Sequence, residues 1–412
     1  MVGAPVSADE RAPMSLPLSL FDPVRLRVYP RLAVALYIIA AIAMIASATA
    51  MIDVFGKPLG YDFITFWGAS HLTLAGEPLA AFDFGRILQA EQLAVPANTQ
   101  VFLWHYPPVY QMFVAPLALL PYGLSWLVFV GAGLAFYVAT VRPLFVENFA
   151  PKADVVFLLL AFPGAFICVF HGQNSLYSAA IFAGGLLLLE RGRPYLAGLV
   201  LGLLIYKPQL GLLLPLAFLV SGQWRALIAT GASAIAICGL SALLLGSELW
   251  FTFVANAPVV REVMEQGMLP WAKMPSAFVF LADLGVPLAV AYGAQLLVAL
   301  AAAASVAFVW WRQGPVRLSW AVLIVATLLV PPYTFDYEFA ILAPVLAILV
   351  SDMGTRGATW RERVGLVVLY VLPLVVAPFA QATHLQIGFL LLVLALVMAT
   401  RRALSLSSPA PL

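Results

Sequence analysis

Charge is scarce in this chain. Asp, Glu, Lys and Arg make up 10% of its 412 residues, against about a quarter in soluble globular proteins. The formal net charge is only +2 and no basic run occurs, which removes nucleic acid as a partner. The two cysteines, Cys168 and Cys238, lie inside apolar runs, so neither a disulfide framework nor a Cys-based zinc site is expected. There is no Gly-rich phosphate loop, no His-Glu-x-x-His and no Gly-x-Ser-x-Gly, and nucleotide-driven, zinc-hydrolase and serine-hydrolase mechanisms therefore lack support. No metal or other cofactor is expected.

Apolar residues are abundant instead: 63% of the chain is hydrophobic, with 27 Phe, 14 Tyr and 10 Trp, a composition that belongs in lipid. The first apolar run, Arg31 to Met51, is long enough to cross the hydrocarbon core. Ala48-Thr49-Ala50 resembles a signal-peptidase site, but the run is too long and its charged leader too extended for a secretory signal, so it is expected to remain as an uncleaved first span. Further runs near 124–141, 155–170, 176–189, 195–206, 210–220, 226–245, 288–311, 318–331, 339–350, 364–380 and 387–400 bring the expectation to twelve spans.

Basic residues orient these spans, because cytoplasmic loops carry the excess. If the Pro-rich stretch Tyr106 to Tyr122 enters and leaves on the outer side, sixteen Lys and Arg residues fall inside. Only Lys57, Arg86, Arg261 and Lys273 fall outside, with Lys207 in the membrane. Both termini are then cytoplasmic. The expected organisation is a cytoplasmic segment 1–30, one integral-membrane domain 31–402 with outer loops 52–122 and 247–286, and a cytoplasmic tail 403–412. This places the chain in the plasma (inner) membrane, in contact with its lipids.

Almost every polar motif then lands at the outer face: Gly60-Tyr61-Asp62, His105-Tyr106-Pro107-Pro108, His171-Gly172-Gln173-Asn174, Lys207-Pro208-Gln209, Asp336-Tyr337-Glu338 and His384. A conduit needs polar groups reachable from both sides, whereas an enzyme at the outer leaflet needs them on one. A secondary transporter or lipid flippase is the alternative from another class, with Lys207-Pro208 as its broken helix, but no internal repeat is evident.

Asp62 precedes Phe63, Phe66, Trp67, Ser70 and Leu74, spaced as the apolar stripe of an interfacial helix. It is either the N-cap of that helix or a functional acid flanked by Tyr61 and Trp67, aromatics suited to stacking on a sugar. Lys207 separates two runs each too short to cross, and its natural partner there is a lipid phosphate, snorkelling being the alternative. His171 and Asn174 suit helix ends as well as a site. Tyr106 opens a rigid Pro-Pro segment. Asp336 and Glu338 could contact sugar hydroxyls, pair with Lys207 or, least of all, hold a divalent cation. Arg261, Glu262 and Glu265 read as a solvated helix face.

Taken in series, Gly60-Tyr61-Asp62-Phe63, Trp67, Gly76-Glu77-Pro78, Tyr106-Pro107-Pro108 through Pro116-Leu117, Gly172-Gln173-Asn174, Ala197-Gly198 through Lys207-Pro208, and Pro332 to Tyr337 resemble the family 87 glycosyltransferases. The chain is similar to the polyprenyl-phosphate-mannose-dependent α-1,2-mannosyltransferases among them. The resemblance implies an all-α polytopic membrane protein of GT-C-like fold, with about 12 transmembrane helices, a long first outer loop and a re-entrant segment. It also implies a polyprenyl-phosphate sugar as donor, a lipid-linked or glycan acceptor, and Asp62 as the catalytic Asp, which would act as general base. Lys207, His171 and Gln173 would meet the donor phosphate, and Tyr61, Trp67, Tyr106, Asn174, Asp336, Tyr337 and Glu338 the substrates. Asp336-Tyr337-Glu338 departs from a His-containing version associated with the mannosyltransferases, so a pentose or aminosugar donor stays open.

Overall fold

A computed structural model describes residues 22–147 and 149–405. Arg11, the rest of the expected cytoplasmic segment up to residue 21, and residues 406–412 of the expected tail lie outside the described residues. Among those described, every regular element is helical, and pairing is limited to the isolated bridges Thr49–Ile52 and Ile52–Pro58.

The first long helix, Pro23–Ser47, starts where the Asp22 carboxylate accepts from the backbone N–H groups of Val24 and Arg25 at 2.8 and 3.2 Å, with Pro23 in the first position. At 25 residues it is about 37 Å long, enough to cross about 30 Å of hydrocarbon. It begins earlier than the apolar run predicts, because Arg25 and Arg27 are its first turns rather than a leader. Leu36, Ile39 and Ile42 point outward, as lipid-facing residues do. It is tied to the body by Tyr37, whose ring stacks on Phe166 at 4.0 Å and whose hydroxyl donates to the Ala161 carbonyl at 3.2 Å.

Among the described residues, six helices are long and apolar enough to cross a membrane: Pro23–Ser47, Tyr122–Leu144, Trp224–Leu245, Leu288–Trp311, Asp336–Arg356 and Trp360–Thr383. The run 155–170 is not one straight span. It divides into Lys152–Leu160 and Pro163–Phe170, bent by 54° at the proline, and counts as a seventh crossing only if the pair is taken together. Ser175–Glu190, Pro194–Tyr206, Pro208–Val220 and Val316–Leu329 are shorter apolar helices. The expected re-entrant stretch is likewise a short helix, Pro108–Leu119. The chain is thus an all-helical polytopic membrane protein.

The centre is built from Val316–Leu329 and Leu342–Arg356, where Trp320, Ile324 and Leu349 have no exposed surface. Trp310, Trp320, Phe218 and Phe182 interlock beside them edge to face. Close approach elsewhere depends on small residues. A Cβ on Gly198 would lie 2.5 Å from that of Ala229, and one on Gly202 would lie 2.4 Å from that of Ser233, so the helices Pro194–Gly202 and Trp224–Leu245 touch backbone to backbone.

The first loop corrects the interfacial-helix expectation. Phe63–Leu74 is packed on nearly every side, with Phe63, Ile64, Phe66, Ala69 and Ser70 fully covered. Its neighbours include Phe84–Ala94 and the Pro108–Leu119 segment. Beneath it lies Glu91, fully buried, its Oε2 accepting from Asn98 Nδ2 at 3.2 Å and from the Phe102 N–H at 3.4 Å. Burial pushes the Glu91 carboxyl up to about 8.

At one end of the bundle the arginines are tied down. Arg27 and Arg31 reach Asp154 at 3.6 and 2.7 Å, Arg317 reaches Glu190 at 2.6 Å, and Arg402 bridges Asp352 and Glu362 at 2.5 and 2.6 Å. We expect that end to be cytoplasmic. In a cysteine-free background, Phe55→Cys and Met268→Cys should react with an impermeant maleimide on intact cells, and Arg193→Cys only after permeabilisation. Labelling of Met268→Cys from the cytoplasm alone would break the shared outer face. Glu91 gives a second expectation. The unfolded chain releases this proton near its ordinary value of about 4.5 and the folded chain holds it to about 8, so stability should fall as pH rises between those values. The slope is at most about 1.4 kcal/mol per pH unit. Thermal unfolding across that window should flatten in Glu91→Gln; an unchanged slope would assign the effect to another group.

Candidate active site

Two glycine turns in the opposite end of the bundle bring the first polar groups together. Asp53 folds the loop, its Oδ1 accepting from the N–H groups of Phe55 and Lys57 at 2.9 Å each and its Oδ2 from the Tyr61 hydroxyl at 2.7 Å. Gly60 at φ +85° and Tyr61 at +46° then turn the chain into the helix that Asp62 precedes. The facing turn needs Gly172, at φ +58°, because a Cβ there would stand 2.5 Å from the Cβ of Phe63 and 2.6 Å from the Gly60 carbonyl oxygen. The consequence is contact between Asp62 and the residue after that glycine. Gln173 Nε2 donates to Asp62 Oδ2 at 2.9 Å, across 111 residues of sequence.

Asp62 occupies the N-cap position, yet its side chain makes no cap hydrogen bond. Its recorded polar partner is Gln173. The Gln173 Oε1 in turn accepts from the Tyr106 hydroxyl at 3.2 Å and the Asn174 N–H at 3.3 Å. The Asn174 amide is buried facing the hydroxyls of Tyr106 and Tyr110, neither of its polar atoms in a well-aligned hydrogen bond. Such a group is costly unless something pairs with it.

Lys207 sits where the 3-10 turn Leu203–Tyr206 meets Pro208, and it does not snorkel. Its Nζ is 2.9 Å from Glu338 Oε1, with side chains 4% and 6% exposed, and it lies 5.8 Å from the Tyr106 ring centre and 5.4 Å from that of Tyr337. Of the three roles open to the two carboxylates, Glu338 takes the pairing with Lys207. Asp336 Oδ1 is buried without a hydrogen bond. A cavity of about 340 Å³ opens against this pair, lined by His105, Tyr106, Lys207, Tyr337 and Glu338.

His171 also approaches Tyr337, their ring centres 6.1 Å apart. Its Nδ1 lies 2.9 Å from the Ile167 carbonyl and therefore donates, leaving Nε2 to accept from Lys273 Nζ at 2.8 Å. The expected site residues thus gather at one end of the bundle, with one exception. Trp67 is spent on packing: it is 9% exposed, donates to the Leu120 carbonyl at 3.0 Å and stacks on His71. Tyr61 is tied to Asp53 and packs on Phe170 and His171.

Sequence reasoning passed over two contributors. Lys273 was counted only as one of four outer basic residues, although it is a lone cation in the apolar run Trp271-Ala-Lys-Met. The helix Glu248–Glu265, read as a solvated face at its end, covers the cavity with Phe253, Asn256, Val260 and Arg261.

The family model for glycosyltransferase family 87 matches residues 104–332, more than half of the chain. That stretch contains Tyr106, His171, Gln173, Lys207 and Lys273, and stops short of Asp62 on one side and Asp336 and Glu338 on the other. No curated protein and no solved structure matches the chain.

The buried pair makes a stability prediction. Glu338→Leu strands a charge and should cost about 3–5 kcal/mol, whereas Lys207→Met with Glu338→Leu should recover most of it. Chemical denaturation of the two variants and the parent in detergent decides; equal losses in the single and double variants would mean that the pair is not coupled.

Proposed function

The chain belongs to glycosyltransferase family 87 and is a membrane glycosyltransferase, and from that premise we propose that it moves a hexose, mannose in our reading, from a polyprenyl-phosphate sugar to a lipid-linked or glycan acceptor at the outer face. The acceptor hydroxyl oxygen attacks the anomeric carbon, its proton passes to Asp62, and the bond from that carbon to the phosphate oxygen breaks. Polyprenyl phosphate leaves with the electron pair. One displacement of this kind inverts the anomeric configuration, by analogy with inverting glycoside hydrolysis. The donor already carries its leaving group, so a nucleotide site is not required on that side of the membrane.

One observation carries the reading: the Asp62 carboxylate leaves its own helix uncapped and is held by Gln173 instead. An amide orients a carboxylate without cancelling its charge, which suits a positioned general base. Tyr106 and Tyr337 wall a cavity beside it, and two lysines, Lys207 against the Tyr337 ring and Lys273 on His171, bring positive charge to this end of the bundle, where a departing phosphate needs it. The candidate site residues collect at one end while the pairs of Arg31, Arg317 and Arg402 occupy the other, which favours an enzyme over a transporter.

Incubation of the purified protein with a panel of polyprenyl-phosphate sugars should release polyprenyl phosphate from one of them. Asp62→Asn keeps an oxygen for Gln173 but cannot take the proton, so transfer should fall by about 10²- to 10⁴-fold with unchanged thermal stability. Activity within a few-fold of the parent would move the base to Asp336.

A further inference from the structure

The two lysines of the candidate site, Lys207 and Lys273, are not equivalent. Lys207 is neutralised at 2.9 Å by Glu338 inside the protein, and handing its charge to a phosphate would strand a buried carboxylate. Lys273 has no carboxylate within ion-pair distance among the described residues, and its one recorded polar partner is the lone pair of His171 Nε2. An ammonium has three donors, so this leaves two for a ligand. Asp336 lies within electrostatic reach of both Lys273 and His171 without forming an ion pair. The short turn that carries Lys273, Trp271–Lys273, is itself fixed. Gln386, with no exposed surface, donates to the Ala272 carbonyl at 2.6 Å, and the Trp271 indole donates to the Met264 carbonyl at 2.9 Å. Lys273 is therefore a held cation with no ion-pair partner among the described residues, aimed at the His171-Gly-Gln turn that also reaches Asp62.

We propose that Lys273, seated on His171, is the cation that contacts the phosphate of the donor, and that Lys207 serves instead as the paired, structural floor of the cavity. This rests on the polyprenyl-phosphate reading above. It fits the chemistry of displacement, since a free point charge on the second outer loop can stabilise negative charge that grows on the leaving oxygen.

The test is binding rather than turnover. Wild-type protein in detergent is titrated with a short-chain prenyl phosphate, the corresponding neutral prenol, and phosphatidate as competitor. Lys273→Met should bind the prenyl phosphate about 10- to 100-fold more weakly, as for loss of one hydrogen bond to a charged group. Prenol binding and the unfolding temperature should not change, and Lys273→Arg should restore most of the loss. Undiminished prenyl phosphate binding by Lys273→Met would overturn the assignment. So would a fall in binding that comes with a fall in unfolding temperature and is not rescued by arginine, which would return Lys273 to a structural contact with Asp336. Phosphatidate competing as well as prenyl phosphate would make this a general lipid-headgroup site. If the wild type itself fails to prefer the phosphate over the alcohol, the polyprenyl-phosphate donor is wrong, a failure distinct from that of Lys273.

Discussion

Two charges buried in a lipid-embedded protein have to find each other, and Lys207 and Glu338 do so from positions 131 residues apart. Each sits at a break in regular helix, Lys207 before Pro208 and Glu338 in the 3-10 stretch Asp336–Ile341. A break exposes backbone groups and shortens the helix, so it is tolerated in a membrane protein only where it lines a cavity or is buried in protein. Joining the breaks fixes that cavity: Tyr106 and Tyr337 close over the ammonium, and Tyr106 carries the arrangement on to Gln173. The ion pair is thereby one anchor of a chain of contacts that ends at Asp62.

The second anchor is steric. Gly172 lies so close to the Gly60 turn that a side chain there would strike the Gly60 carbonyl oxygen and Phe63, while one on Gly60 would press on Tyr122 and Trp126. Packing of backbone on backbone is what lets a side chain as short as that of Asp62 be met by a glutamine from a different helix pair. The two anchors act on different length scales, one through a field and one through contact, yet both fix Gln173, which is hydrogen-bonded at one end to Asp62 and at the other to Tyr106.

Composition and period made the helical, lipid-embedded class legible, and the scarcity of charge made most of the polar site legible too, because a rare polar group in an apolar chain is conspicuous. Contact was what remained hidden. Trp67 carries a ring suited to sugars, but nothing local says that its indole is consumed by the Leu120 carbonyl. Likewise, an apolar stripe with Asp62 at its head fits a surface helix and a packed one equally well; only the surrounding helices decide. Lys207 stood out because it interrupts an apolar run, while its partner lay ambiguously among two acids. Lys273 was obscured by being in a loop, where a cation is ordinary until a histidine from another helix is found against it.

Length explains the remaining difference. Several apolar runs that count as spans by composition fold into helices too short to traverse the hydrocarbon alone, such as Ser175–Glu190 and Val316–Leu329. Their backbone ends must then be satisfied within the protein. At the site end this is visible: the Asn174 N–H at the head of Ser175–Glu190 donates to Gln173 Oε1 at 3.3 Å, and the Leu328 carbonyl near the end of Val316–Leu329 accepts from the Thr334 hydroxyl at 2.9 Å. Shortness in these helices is therefore coupled to the polar end of the bundle. A helix that stops early leaves both the space and the unpaired groups from which a site can be made, and those are the places where His171, Asn174, Lys207 and Asp336 are found.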